Sequence, residues 1–169
     1  SAMAVQNTKA RLVATGAHPS SLIVEVTEGV MISDIRAARE SIDFLRAVGV
    51  QVYLDDFGTG YSSLSYLQNF ELDGMKLDRS FIQDIGKSDK AMRIIRAMID
   101  FAHSLNMQTV IEGVESEWQA RMLQLQGCDF LQGYELGIPM PCGELLGRIK
   151  ANLAQDAGGT AASGNRASA

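Results

Sequence analysis

The 169-residue chain carries 15 Lys and Arg against 20 Asp and Glu, a formal net charge of −5, and 46% of its residues are hydrophobic. That length suits one domain with a sizeable core, and no apolar run is long enough to cross a bilayer. An acidic chain also argues against backbone binding of DNA or RNA, which draws on basic surface.

The opening SAMAVQNTKARL lacks the unbroken apolar core of a secretory signal, so a cytoplasmic protein without membrane contact is expected. Residues 5–16 read as the end of a helix. LIVEV (22–26) is the first strand. Ile35, Ala38, Ile42, Leu45 and Val48 then recur at helical spacing, with Ser33 placed to cap that helix and Gly49 to end it. VQVYL (50–54) is the second strand, and SLSYLQNF reads as a short helix beyond a glycine loop. GMKLD (74–78) is the third strand, followed by a helix over 90–105. QTVIE (108–112) is the fourth. SEWQ (116–119) is a capping box that opens another helix. DFLQG (129–133) is the fifth strand, and 142–153 reads as a closing helix. The glycine-rich end beyond 154 buries too little apolar surface to offset its ordering entropy. Residues 1–154 are therefore read as the domain and 155–169 as a disordered tail. Cys128 and Cys142 fit neither zinc nor redox spacing and read as buried or semi-buried thiols.

Repeated βα units with short apolar strands imply an α/β fold with a parallel sheet. A doubly wound sheet would place a glycine-rich phosphate loop after its first strand, and EVTEGVMI is not one. Polar residues at successive strand ends instead suggest a TIM-like (β/α) barrel, whose mouth is built that way. Only about five βα units are present where a full barrel has eight. Such an incomplete barrel is expected to expose an apolar interior and two open edges, and so to pair with another copy or with a missing half.

The strand ends carry the chemistry. Glu25 and Glu28 belong to the first, Asp55 and Asp56 to the second, Lys76 to the third, Glu112 and Glu115 to the fourth, and Gln132 to the fifth. Carboxylates gathered at one mouth repel unless a cation neutralises them, and an all-oxygen donor set suits Mg²⁺ or Mn²⁺. Asp55 could bridge two ions while Asp56 holds the second, and two ions about 4 Å apart clamp an in-line phosphoryl displacement. Gly58 and Gly60 free the following loop, Thr59 and Ser62 could bond within it, and Glu28 could accept its N–H groups. Lys76 would pair with Asp78 or a ligand carboxylate, or hold a substrate phosphate or the attacking water, which Glu112 could share. Each feature has a plainer reading: the aspartates as a turn cap, Glu115 as a helix-start charge, Asp78 and Arg79 as a surface or loop pair. Tyr61, Tyr66 and Tyr134 could line a ligand pocket. A metal barrel for a sugar or carboxylate substrate stays open on the residues alone.

LIVEVTE, YLDDFGTGYSSLSYL, MKLDRSFI, VIEGVES and CDFLQGYELGIPMP together resemble the EAL domain family over about residues 10–149. The resemblance implies a modified barrel that hydrolyses cyclic di-GMP to pGpG with two Mg²⁺ or Mn²⁺ ions, in a dimer. It implies Glu25, Asp55, Asp56 and Glu112 as metal ligands, and Lys76 and Glu112 as the residues that place the nucleophilic water. Glu28, Thr59 and Glu115 would support the loop and site, and Gln132 would meet the substrate. The tripeptide Glu-Ala-Leu is absent, and so is the family's ligand asparagine, as if both preceded Ala4. Ile138 stands where the family often has a basic residue. Weak or absent hydrolysis by this chain is therefore expected, with a non-catalytic receptor or regulatory module as the alternative.

Overall fold

The computed structural model describes residues 2–58 and 67–159, which fall into two compact units, Ser1–Leu136 and Gly137–Ala169. In the first unit, helix α1 (Ala2–Thr15) leads to strand β1 (Ile23–Thr27), the short helix α2 (Glu28–Ser33) and helix α3 (Ile35–Ala47). Then come β2 (Gln51–Phe57), β3 (Gly74–Leu77), helix α4 (Asp89–Ser104), β4 (Gln108–Ile111), helix α5 (Glu117–Leu125) and β5 (Phe130–Leu131). All neighbouring strands pair in parallel, in the order β1-β2-β3-β4-β5. Sequential order without reversal is the arc of a barrel. A doubly wound sheet would switch direction within its strand order.

Side chains alternate across the sheet. Val52, Leu54, Met75, Leu77 and Ile111 join the main core with Ile42, Leu45, Ile95, Ile99 and Leu123 from the helices. Ile99 is 1% exposed. Ile99→Ala is expected to cost about 2–4 kcal/mol through a cavity that the sheet fills poorly, read as a lower urea midpoint with an unchanged slope.

The opposite face departs from expectation. An apolar open face was expected, but Glu25, Tyr53, Asp55, Lys76 and Gln108 share it, with Glu112 just past β4. Among large apolar side chains on that face, Ile23 and Phe130 lie exposed on the two outer strands. Tyr53 is 2% exposed yet sits outside the main apolar cluster. Its hydroxyl donates to Gln108 Oε1 at 2.6 Å. Its ring fills the space where a side chain on Gly74 would be, since a Cβ there would lie 2.4 Å from it.

Three local expectations are corrected. Asp34, not Ser33, caps α3, accepting the Ala37 N–H at 3.0 Å, while the Ser33 hydroxyl donates to Val30 O. β2 does not end at Leu54 but runs on to Phe57 through a register shift. Cys142 is exposed, while Cys128 is half-buried with its thiol against Phe130 O. The capping box is real in a shifted form: Ser116 accepts the Gln119 N–H, and Gln119 Oε1 accepts the Glu115 N–H. In the second unit, helix α6 (Cys142–Gly159) runs past the expected end at 153. Residues 151–157 hold no helix breaker, and the first Gly pair is Gly158–Gly159. Residues 160–169 of the expected tail lie outside the described residues, as does the first half of the short helix expected after the glycine loop.

At the amino ends of the strands, Arg46 ties α3 to Glu71 and Asp73, and Asp73 Oδ2 accepts the Val52 N–H. Asp129 plays the matching part beside β4. Its Oδ2 accepts from the Thr109 N–H and hydroxyl, both at 2.8 Å, and lies 2.8 Å from His103 Nε2. Burial raises its pKa, but the bonds from His103 and Thr109 outweigh that and hold the carboxyl below its ordinary value. A depressed folded pKa contributes stability that is complete above the unfolded value of about 3.9 and is lost as pH falls through the folded pKa. Asp129→Asn is thus expected to cost about 1–2 kcal/mol near neutral pH. Urea midpoints of the two proteins should converge as pH falls through the depressed folded-state pKa of Asp129.

Candidate functional site

Four consecutive strands bring four charges to one place. Lys76 sits in β3, where all four residues are buried. Its Nζ lies 2.6 Å from Glu112 Oε1, 2.9 Å from Glu25 Oε1 and 3.1 Å from Asp55 Oδ1. Glu25 comes from β1, Asp55 from β2, and Glu112 directly follows β4, whose end is fixed by the Glu112 N–H donating to Leu77 O at 3.1 Å. Alternation along β1, β2 and β3 puts these side chains on the open face, and parallel register staggers them along it, Glu25 pairing with Tyr53, Asp55 with Thr27 and Lys76 with Val110. The Lys76 side chain is 8% exposed, against 46%, 22% and 23% for Glu25, Asp55 and Glu112. Burial lowers the lysine pKa, but hydrogen bonds to Glu112, Glu25 and Asp55 more than reverse this and raise it above its ordinary value. Lys76 is therefore a fixed cation and hydrogen-bond donor, never a base at neutral pH.

The adjacent aspartates diverge. Asp55 keeps extended pairing with Thr27. Asp56 has φ +55°, a left-handed conformation that Asp tolerates better than most residues. The register of β2 against β3 shifts between Leu54 and Phe57. Expected at a strand end, the change of direction is instead made inside the strand by this irregularity, and Asp56 is exposed where Asp55 is half-buried.

The remaining candidates lie around this centre. Glu28 opens α2 directly after β1. The loop it was expected to steady, with Thr59, Ser62, Tyr61 and Tyr66, lies outside the described residues. Glu115 is exposed on the segment leading to α5. Gln132 is exposed, and its main chain joins the strand ends by donating to Ile111 O at 2.9 Å and accepting from the Val114 N–H at 3.1 Å. Tyr134 is 72% exposed. Asp78 serves the loop after β3: it caps a 3-10 turn at Arg79–Phe81 by accepting the Ser80 N–H at 2.9 Å. Bonds to the Ser80 side chain and N–H hold its carboxyl below the ordinary range. Tyr53 and Gln108 were missed as part of this face, because only strand register places them beneath Lys76.

In kind, the carboxylates fit a hard divalent cation: every donor is oxygen and three converge. In place, the Lys76 ammonium fills their focus. Among the described residues no group of three or more His, Cys, Asp or Glu is disposed to hold a metal ion.

Comparison with known proteins gives the same family from several directions. The family model for the EAL domain matches residues 2–139. The bifunctional diguanylate cyclase/cyclic di-GMP phosphodiesterase MucR of Pseudomonas aeruginosa is 42% identical over 132 residues, 78% of this chain and 19% of that protein. The solved PaMucR phosphodiesterase in complex with c-di-GMP superposes with a TM-score of 0.77 at 40% identity, covering 83% of this chain and 57% of that one. BlrP1 of Klebsiella pneumoniae, solved as a manganese/cy-diGMP complex, superposes at 0.71 with 34% identity, covering 78% and 33%. The chain thus spans a minor share of the length of the curated relatives it matches.

Proposed function

This chain belongs to the EAL domain family, and we propose that it is part of a cytoplasmic, metal-dependent phosphodiesterase domain hydrolysing cyclic di-GMP to pGpG. The observation that carries the reading is the Lys76 ammonium bonded to Glu25, Asp55 and Glu112 from neighbouring strand ends. Mg²⁺ or Mn²⁺, two ions in the full domain, would be held by Glu25, Asp55, Asp56 and Glu112, and supplies Lewis-acid stabilisation of charge developing on the phosphoryl group. Lys76 keeps its proton and supplies a fixed positive charge and donor at Nζ, suited to orienting a water or a phosphate oxygen. Glu112, 2.6 Å from that Nζ, is placed to take a proton from a water that Lys76 orients. Gln132 would meet the substrate, and Glu28, Thr59 and Glu115 would steady the loops. The open edges of β1 and β5 would pair with a second copy or with further strands of the domain.

The ammonium at the carboxylate focus favours a second reading, an EAL-type module that binds cyclic di-GMP or a partner without turning it over. The two are separated by incubating the chain with cyclic di-GMP and Mn²⁺, following pGpG by chromatography and binding by calorimetry. Binding with slow or no release of pGpG is the expected result. Absence of both binding and hydrolysis would overturn the phosphodiesterase reading and the cyclic di-GMP receptor reading alike, leaving only a module that binds a partner.

A further inference from the structure

The turn that follows Lys76 is packed between the loops carrying the acidic residues. Gly58, two residues past Asp56, has φ +95°, and a Cβ there would lie 2.3 Å from two ring atoms of Phe81. Gly113, next to Glu112, has φ +77°, and a Cβ there would lie 2.5 Å from Arg79 Cβ and 3.4 Å from its Cα. One 3-10 turn, Arg79–Phe81, therefore touches the backbone of both neighbouring loops, one through each end. Asp78 pins its start, and the Phe81 ring is half-buried against the main core. In each contact the glycine admits a close approach that any other residue would block, so the spacing is set by direct backbone contact.

We propose that Arg79 and Phe81 are positioning residues: the turn is a wedge that fixes the end of β2, which carries Asp55 and Asp56 and leads into the loop at Gly58, and the Glu112 loop relative to each other and to Lys76. Neither side chain meets the carboxylates in this role. Phe81 acts through Gly58, and the Arg79 stem acts through Gly113. β3 thereby supplies both the central cation and, three residues later, the spacer that sets the distance between its flanking partners. The bearing of this wedge on hydrolysis rests on the function proposed above; the wedge itself does not.

Hydrogen–deuterium exchange on the full chain without ligand tests it. The reporters are the Phe57 amide on one side, and the Glu112 and Val114 amides on the other, bonded to Leu77 O and Gln132 O. Phe81→Ala is expected to speed exchange about tenfold or more in both loops by raising local opening, with the amides of Val52 and Ile95 unchanged. Phe81→Leu, which keeps apolar bulk over Gly58, should return both loops most of the way to wild-type rates. Arg79→Gly, at an exposed position, tests the other end in a protein expected to fold normally, and should loosen the same two loops. Ile99→Ala is the control: it lowers global stability and should leave the difference between these loops and the strands unchanged. The proposal is overturned if Phe81→Ala and Arg79→Gly each affect only the loop they touch, if neither affects any, or if Ile99→Ala reproduces the pattern. Failure of the chain to hydrolyse cyclic di-GMP would not alter these rates, so the two conclusions fail separately.

Discussion

Replacing Lys76 with methionine is expected to destabilise the fold by about 2–4 kcal/mol, because it removes the ammonium bonded to three converging carboxylates. Methionine nearly conserves the buried stem, so cavity formation is a small part of the cost. The larger part is uncompensated charge: Glu25, Asp55 and Glu112 would face one another across a space that water reaches only partly. Their partial exposure keeps the cost below that of a fully buried pair. Equilibrium urea unfolding at neutral pH reads the loss directly. Titration with Mn²⁺ adds a second reading. A cation that binds the folded form at 100 times its dissociation constant contributes about 2.7 kcal/mol, and the variant, with its focus vacated, should gain more from Mn²⁺ than the wild type. An unchanged urea midpoint would mean that solvent, and not Lys76, neutralises the cluster. Equal response to Mn²⁺ would mean that the three carboxylates are not a cation site even when cleared.

Gly133→Ala is the second large effect, at about 3 kcal/mol. A Cβ at Gly133 would lie 2.1 Å from Val114 O and 2.3 Å from Val114 N. Those atoms are main chain, so no rotamer change relieves the overlap. The same short stretch carries the Val114 N–H to Gln132 O bond and the Glu135 N–H to Val114 O bond, both 3.1 Å. Backing away would break these bonds, pull the exit of β5 from the segment after Glu112, and displace Gln132. Gly143→Ala is the comparison, since nothing lies within 4 Å of a Cβ there, and within helix α6 it is expected to leave the urea midpoint no lower than that of the wild type. Equal midpoints for the two variants would show that the segment after β5 shifts without cost.

Much of the fold is readable from periodicity. The five strands, the helices between them and the parallel class follow from short apolar runs alternating with residues at helical spacing. Boundaries shift where two physical signals compete. Ser33 and Asp34 are both good cap residues, and only the carboxylate of Asp34 reaches the Ala37 N–H. The end of β2 was misplaced because Asp55 and Asp56 read as turn formers, whereas pairing with Thr27 and Leu77 carries the strand through them. The apolar open face was misjudged for a related reason. Buried Tyr53 and Lys76 count as one apolar and one polar residue in a strand pattern, but pairing with Gly74 and with three carboxylates decides how each is accommodated.

Residue types in order specify which chemistry is available: acidic residues and one lysine on successive strands, at spacings that put them on one face of a parallel sheet. They do so because a strand's side-chain period is fixed by covalent geometry. Tertiary packing alone sets Lys76 at the carboxylate focus, gives Asp56 a left-handed conformation inside β2 and brings the turn after β3 against two glycines. These depend on register and on approaches of a few ångströms between segments tens of residues apart, which no local pattern encodes.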